Sequence, residues 1–248
     1  MFQGEAPKKI EEVLSPDKQK MHYEIALLRV AIQKILSELR PKIERGTYQL
    51  VVGDDASGRI PTLIFERVIK ELYEEKGFKN PEVRFIAGGI KGDVKGDARK
   101  EKIKKAEEYF KKIKSMSQKE GEKILNALVV TDTIETGGSL EFIANALKNN
   151  GIKFDIATIA LILMKPYRKE NIEKSLGGRI VYGQEHDAVI YGSHQLSGVE
   201  KDPKDLFSKP VKNIFWSSRP DTQKTMNQAR EDVKILSEDL VAWYKAQE

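Results

Sequence analysis

The run Leu128-Val-Val-Thr-Asp-Thr-Ile-Glu-Thr-Gly-Gly-Ser-Leu140 collects residue types suited to holding a phosphate ester. An apolar stretch leads into the polar turn Glu135-Thr-Gly-Gly-Ser139, and a helical pattern follows. Gly137 and Gly138 permit a turn that aims successive backbone N–H groups inward. Thr136 and Ser139 add hydroxyl donors, and a helix N-terminus adds a favourable partial charge. Asp132, expected just past the strand, would face the same crevice and suits a sugar diol or a hydrated metal ion. The same residues also fit an ordinary strand-to-helix turn with Ser139 as N-cap.

A second stretch, Gly53-Asp-Asp-Ala-Ser-Gly-Arg59, comes close to the spacing of a nucleotide-binding P-loop. Arg59 stands where that loop needs lysine, and Ile60 replaces the metal-binding hydroxyl. Asp54 and Asp55 would repel a triphosphate, so a P-loop is not expected.

Other chemistries are excluded by what is missing. The 248 residues include no cysteine, which removes disulfides, thiolate metal sites and cysteine nucleophiles. The three histidines, His22, His186 and His194, have no metal-ligand spacing. No apolar run is long enough to span a bilayer, so no membrane partner is expected, and a cytoplasmic location is. The net charge of +5 is local: residues 91–123 hold 12 Lys and Arg against 7 Asp and Glu. That excess would attract an anionic ligand or simply solvate a helix face, and a nucleic-acid partner is not expected.

Alternating patterns supply the elements that position these loops. A helix is expected from Pro16 to Leu39, capped by Ser15 and ended with the help of Pro41. Apolar strands follow at Tyr48–Val52, Val83–Ala87, Ile124–Val130 and Phe154–Leu163. Between them come helices from Pro61 to Gly77, around Ile103 to Ile113, and from Ser139 to Asn150. Strand and helix in strict alternation predict an α/β fold, a parallel sheet with helices on both faces. Weaker strands are expected at Ile180–Tyr182 and Ala188–Tyr191, and a closing amphipathic helix at Thr222–Lys245. In such sheets ligands bind at the carboxyl ends of the strands, where both polar loops fall.

The segment Ala127–Ser139 as a whole resembles the thirteen-residue phosphoribosyl pyrophosphate (PRPP) motif of type I phosphoribosyltransferases. Two positions depart from it. Thr131 stands where the family usually has the first of two adjacent acids, and Glu135 where aspartate is commoner. Thr131 can hydrogen-bond a hydroxyl but carries no charge. The resemblance covers roughly Gln49 to Met164. It implies a type I phosphoribosyltransferase-like core over residues 46–164, a helical N-terminal arm over 1–45, and a hood with closing helix over 165–248, all in one structural domain.

The resemblance also implies roles. Thr131 and Asp132 would bind ribose, with Asp132 and Glu135 as the catalytic pair and Asp132 reaching Mg2+, directly or through water. Thr136, Gly137, Gly138 and Ser139 would hold the 5′-phosphate. Ala56, Ser57, Gly58 and Arg59 would form the pyrophosphate loop, with Asp54 or Asp55 touching magnesium through water; alternatively, Arg59 simply pairs with one of those aspartates. Gly88–Lys105 would be a mobile lid hinged at Gly88, Gly89, Gly92 and Gly96, bringing Lys91, Lys95, Arg99 or Lys100 to the pyrophosphate. Tyr167, Tyr182, Tyr191 and Trp216 would be available to stack on a base or simply pack. The implied reaction is magnesium-dependent transfer of ribose 5-phosphate from PRPP to a nitrogen acceptor such as a nucleobase. A homodimer stays open. So do a non-catalytic PRPP sensor on the same fold and a scaffold with a vestigial loop.

Overall fold

The computed structural model describes residues 21–88, 97–119, 125–163, 169–185, 196–202, 205–210 and 222–247. Five parallel strands form the main sheet: β1 (Leu50–Asp54), β2 (Glu82–Ile86), β3 (Asn126–Ile134), β4 (Lys153–Leu161) and β5 (Arg179–Glu185). Their order is β2-β1-β3-β4-β5, and every pairing is parallel. The chain builds leftward from β1 to β2, then rightward from β3, so the switch of direction lies between β1 and β3.

Alternation along the strands sends side chains into two apolar layers. Val51, Leu128, Val130, Ala157 and Val181 face one layer, together with helices α1 (Tyr23–Ala26), α2 (Leu28–Ile43), α3 (Arg59–Lys76) and α7 (Thr222–Lys245). Leu50, Val52, Ala127, Val129, Ile156 and Ile180 face the other, covered by α4 (Asp97–Lys119), α5 (Gly138–Asn149) and α6 (Lys169–Leu176). Strands buried on both sides need apolar residues at consecutive positions, which is why Leu50-Val-Val reads as a solid run. Helix α3 ends on Gly77 at φ +71°, and the turn after α5 uses Gly151 at φ +62°; both are conformations a side chain resists.

Several expected boundaries shift. Strand β3 runs four residues beyond Val130, so Thr131 and Asp132 belong to the strand and not to the turn. The ladder with β4 sustains it, pairing Thr131 with Thr158 and Ile134 with Leu161. Pro41 lies inside α2, whose last residue is Ile43, so the helix runs two residues past the proline expected to help end it. Ser15, Pro16 and the strand at Ala188–Tyr191 lie outside the described residues. Helix α6 was not expected, nor was the short antiparallel pair β6 (Val199–Glu200) and β7 (Lys209–Pro210). Leu206 and Phe207, which lie between those two strands in the chain, are fastened to the main body. The Ala87 N–H donates to the Leu206 carbonyl at 2.8 Å, Leu206 enters the core, and Phe207 meets Tyr109 edge-on at 5.4 Å. Among the described residues, no helix is long and apolar enough to cross a membrane.

Candidate functional site

The polar residues gather at the carboxyl ends of β1 and β3, on either side of the switch point where an open parallel sheet leaves a crevice. Gly53 is paired with Val130, which puts Asp54 level with Thr131 one step further along. Asp54 is 2% exposed. Its Oδ1 accepts from Lys201 Nζ at 2.7 Å, and its Oδ2 lies 3.4 Å from the Thr131 hydroxyl. That hydroxyl is also 3.3 Å from Asp132 Oδ1, so one O–H sits between two carboxyl groups. Burial pushes the Asp54 carboxyl above the ordinary aspartate range, and the charge of Asp132 adds to this. Lys201 and the Thr131 hydroxyl pull it back only in part.

Thr131 therefore stands beside an acid that the linear motif does not show. The residue next to Asp132 in sequence is neutral, but Asp54 brings a second carboxyl group from another strand. Placing an aspartate at 131, itself fully buried, would set a third carboxyl group against these two.

The loop after β1 is tightly closed. Asp55 is 1% exposed, and Arg59 grips it with two bonds, Nε to Oδ1 at 2.7 Å and Nη2 to Oδ2 at 2.9 Å. The guanidinium also lies over the Phe85 ring, 4.3 Å from its centroid. Of the alternatives open for Arg59, the structure displays the pairing with Asp55. Ala56 is buried, and the Gly58 N–H is spent on the Asp54 carbonyl at 2.9 Å. Gly58 also explains itself locally: a Cβ there would come within 2.6 Å of the Asp54 carbonyl oxygen and 2.9 Å of the Val130 carbonyl oxygen. This loop thus abuts β3. Ser57 is half-buried beside it.

The second loop is more open. Glu135, Thr136, Gly138 and Ser139 are exposed, whereas Gly137 is buried. Gly137 adopts φ +79° and caps α5, so Ser139 is already within the helix and is not its N-cap. The left-handed glycine makes the turn two residues earlier than a cap at Ser139 would. A Cβ on Gly137 would approach Ile172 of α6 to 2.9 Å, while one on Gly138 would meet only the Thr136 hydroxyl at 3.5 Å. The Gly138 N–H takes a hydrogen bond to that hydroxyl at 3.3 Å. Gly88, at the end of β2, joins the two loops: a Cβ there would be 2.5 Å from Asp54 Oδ1 and 2.8 Å from the Ser139 carbonyl oxygen.

The expected lid is only partly visible. Residues 97–105 belong to α4, a helix instead of a loop, and Lys100 is exposed on it. Gly89, Lys91, Gly92, Lys95 and Gly96 lie outside the described residues, as does the side chain of Arg99. Tyr167, His186, Tyr191, His194 and Trp216 also lie outside them. Tyr182 is on β5, where its hydroxyl donates to Glu185 and its ring carries Lys34 Nζ at 4.3 Å.

Two residues missed in the sequence stand out. Lys201 reaches Asp54 across 147 positions, a pairing with no local signal. Lys102 is 1% exposed, with no hydrogen-bond partner for its ammonium. Its signal was present: Lys102 continues the stripe of Ala106, Phe110 and Ile113 at helical spacing, so a charge occupies a core position of α4. Among the described residues, no group of three or more His, Asp or Glu is placed to hold a metal ion. No protein-family model matches the chain, and no curated protein matches it.

Proposed function

We propose that this chain has a type I phosphoribosyltransferase-like fold and transfers ribose 5-phosphate from PRPP to a nitrogen acceptor such as a nucleobase. The observation that carries the reading is the Asp54–Thr131–Asp132 cluster at the switch point, followed four residues along β3 by an exposed strand–turn–helix loop. The cluster offers carboxyl and hydroxyl groups to a sugar diol. The turn offers Thr136, Ser139 and the start of α5 to a phosphate.

In this reading Asp132 holds the ribose hydroxyls. Asp54, shielded by Lys201, sets the polarity beneath them, and Gly138 leaves room for phosphate oxygens to approach the backbone. Glu135, exposed at the mouth of the turn, stands toward an incoming nucleophile. Asp132, half-buried at the crevice, would hold a magnesium ion that arrives with its ligand's phosphates, since magnesium usually takes one or two carboxylates and completes its shell elsewhere. When bound, magnesium would offset the charge that grows on the departing pyrophosphate. A cytoplasmic place and a homodimer belong to the same proposal.

A second reading, a non-catalytic PRPP sensor, is favoured by the two internal ion pairs Arg59–Asp55 and Lys201–Asp54. Both hold groups that a working pyrophosphate loop would present to its ligand. Calorimetry with PRPP and magnesium, followed by pyrophosphate release over a panel of bases, separates the readings. The transferase binds PRPP and turns over, and Asp132→Asn lowers kcat/KM by on the order of a hundredfold. Binding without release for any base gives the sensor. Absence of binding removes both.

A further inference from the structure

The polar cluster at the switch point is mostly covered. Asp54 is 2% exposed and Thr131 is fully buried, so Asp132 alone of the three is half-open to the crevice. Two groups lie on Asp54 Oδ1. The end of β2 approaches it, where a Cβ on Gly88 would fall at 2.5 Å. Lys201 Nζ donates to the same oxygen at 2.7 Å, from a side chain that is partly exposed.

Lys201 belongs to a segment that crosses the edge of the sheet. Leu196 is buried in the layer of α1, α2, α3 and α7, and Leu206 in the layer of α4, α5 and α6. Between these anchors the chain passes from one face of the sheet to the other. It does so at the carboxyl ends of β1 and β2, since Lys201 reaches Asp54 and the Leu206 carbonyl accepts the Ala87 N–H at 2.8 Å. Strands β6 and β7 pair with each other, Val199 with Pro210 and Glu200 with Lys209, and Lys209 also donates to Asp202. Among the described residues they form no ladder with the five main strands. The segment is therefore a strap, joined within itself and tied to the body at separate points.

Those ties differ in kind from what holds the rest of the cluster. Thr131 and Asp132 lie on β3, which is laddered to β1 on one side and β4 on the other, so moving them breaks the sheet. Lifting the strap withdraws Leu206, breaks the Ala87 bond, the Lys201 ion pair and the Phe207 contact with Tyr109, and leaves the sheet whole. Such a movement is a local opening, cheaper than unfolding. We propose that residues 196–202 and 205–210 form an autoinhibitory strap whose Lys201–Asp54 contact latches the switch-point crevice shut, and that its release uncovers Asp54 and Thr131 for a ligand. Closed, the crevice offers the carboxylate of Asp132; open, it offers two carboxyl groups and the hydroxyl between them. A ligand that uses all three binds in proportion to the open fraction. The strap controls access to the crevice of the transferase reading, and it stands whatever that crevice binds.

The test loosens the strap away from the crevice. Phe207→Ala removes the edge-on contact with Tyr109, a kind of pair whose loss shifts an opening equilibrium about fivefold. Two measurements without ligand follow the opening in the full chain. In wild type the Ala87 amide should exchange hydrogen about tenfold or more faster than that of Val129 in central β3. Asp54 should be amidated by a carbodiimide and an amine, located by peptide mass spectrometry, more readily than Asp55, which is equally buried but held by Arg59. Phe207→Ala should raise both the Ala87 exchange and the Asp54 labelling about fivefold. Tyr48→Phe, which weakens the far end of the sheet, should leave both unchanged. Lys201→Met cuts the latch itself, should also raise both, and carries the test if Phe207→Ala does not fold. With PRPP and magnesium, calorimetry should show Phe207→Ala binding about fivefold tighter than wild type. Raised exchange and labelling with no PRPP binding by either protein upholds the strap and removes the transferase. The proposal is overturned if Ala87 exchanges as slowly as Val129 in wild type, or if Asp54 labelling is unchanged in both strap variants. It is equally overturned if PRPP binds wild type and Phe207→Ala with the same affinity.

Discussion

The two ends of the sheet each bury an aspartate, and they treat it differently. At the amino end, Asp155 on β4 accepts from the Tyr48 hydroxyl at 2.6 Å and from Lys42 Nζ at 2.5 Å. The Tyr48 N–H in turn donates to the Tyr73 hydroxyl at 2.9 Å. Burial and the Asp155 charge push the Tyr48 hydroxyl far above the usual phenol range, so it stays a proton donor. At the carboxyl end, Asp54 meets one lysine and a shared hydroxyl, is held above its ordinary pKa, and has an unpartnered lysine for a neighbour. A hydrogen-bonded network of Lys42, Tyr48, Tyr73 and Asp155 ties α2, α3 and β4 to the residues leading into β1, which is structural work. The incompletely satisfied one at the carboxyl end costs stability. The contrast separates scaffold from site without reference to any motif.

The largest expected effect breaks the satisfied end. Asp155→Asn removes the charge that Lys42 and Tyr48 both address, and it should cost about 3 kcal/mol of folding stability. Denaturant unfolding at neutral pH measures this. A loss under about 1 kcal/mol would show that the amino-end network is ornamental and that satisfaction does not distinguish the two ends.

The unsatisfied end should respond with the opposite sign. The folded-state pKa of Asp54 is raised, so between the unfolded value near 3.9 and the folded value the native state binds more protons than the unfolded one. Stability from this group therefore falls as pH rises through that interval and stays lost above it. Asp54→Asn abolishes the dependence. Relative to wild type it should stabilise the protein by about 1 kcal/mol at pH 7 and by progressively less as pH falls toward 4. Lys201 is partly exposed and can turn to water once its partner is neutral. Unfolding midpoints for both proteins at several pH values decide the matter; a variant that is less stable at pH 7 would mean that the ion pair with Lys201 outweighs the burial of Asp54.

Much of the fold could be read from spacing, because burial on both sheet faces imposes apolar runs, and the glycines at 77 and 151 mark turns where only φ above zero continues the chain. The polar extension of β3 was not readable: Thr131, Asp132 and Thr133 look like a turn until the register with β4 shows that the ladder continues. The site was legible only where it is contiguous. Glu135–Ser139 forms a single loop, so its sequence and its shape coincide. The Asp54–Lys201 pair depends on a segment 147 residues away, and no pattern in either stretch announces it. Lys102 lies between these cases, since helical spacing alone puts it on the buried face of α4.

The smallest expected effect on stability sharpens the comparison most, because it asks whether the exposed turn at the carboxyl end does anything beyond connecting β3 to α5. Gly137 cannot answer. Its positive φ and its approach to Ile172 mean that any side chain there disturbs the fold, with or without a ligand. Gly138 is the informative neighbour. It begins α5, and an added Cβ would meet only the Thr136 hydroxyl at 3.5 Å, an ordinary contact. Gly138→Ala should therefore change folding stability by less than about 0.5 kcal/mol, since the fold does not need the absence of a side chain there and alanine favours the helix. A phosphate that rests on this turn does need it, because the methyl group stands where phosphate oxygens would approach the backbone. Binding of PRPP, measured by calorimetry, should weaken about tenfold or more in the alanine variant, a loss of about 1.4 kcal/mol. Ligand affinity and folding stability would then respond to different glycines one residue apart, Gly138 to the first and Gly137 to the second. An alanine variant that folds normally and binds PRPP as tightly as wild type would assign both glycines to the turn alone, and would move the phosphate away from Glu135–Ser139.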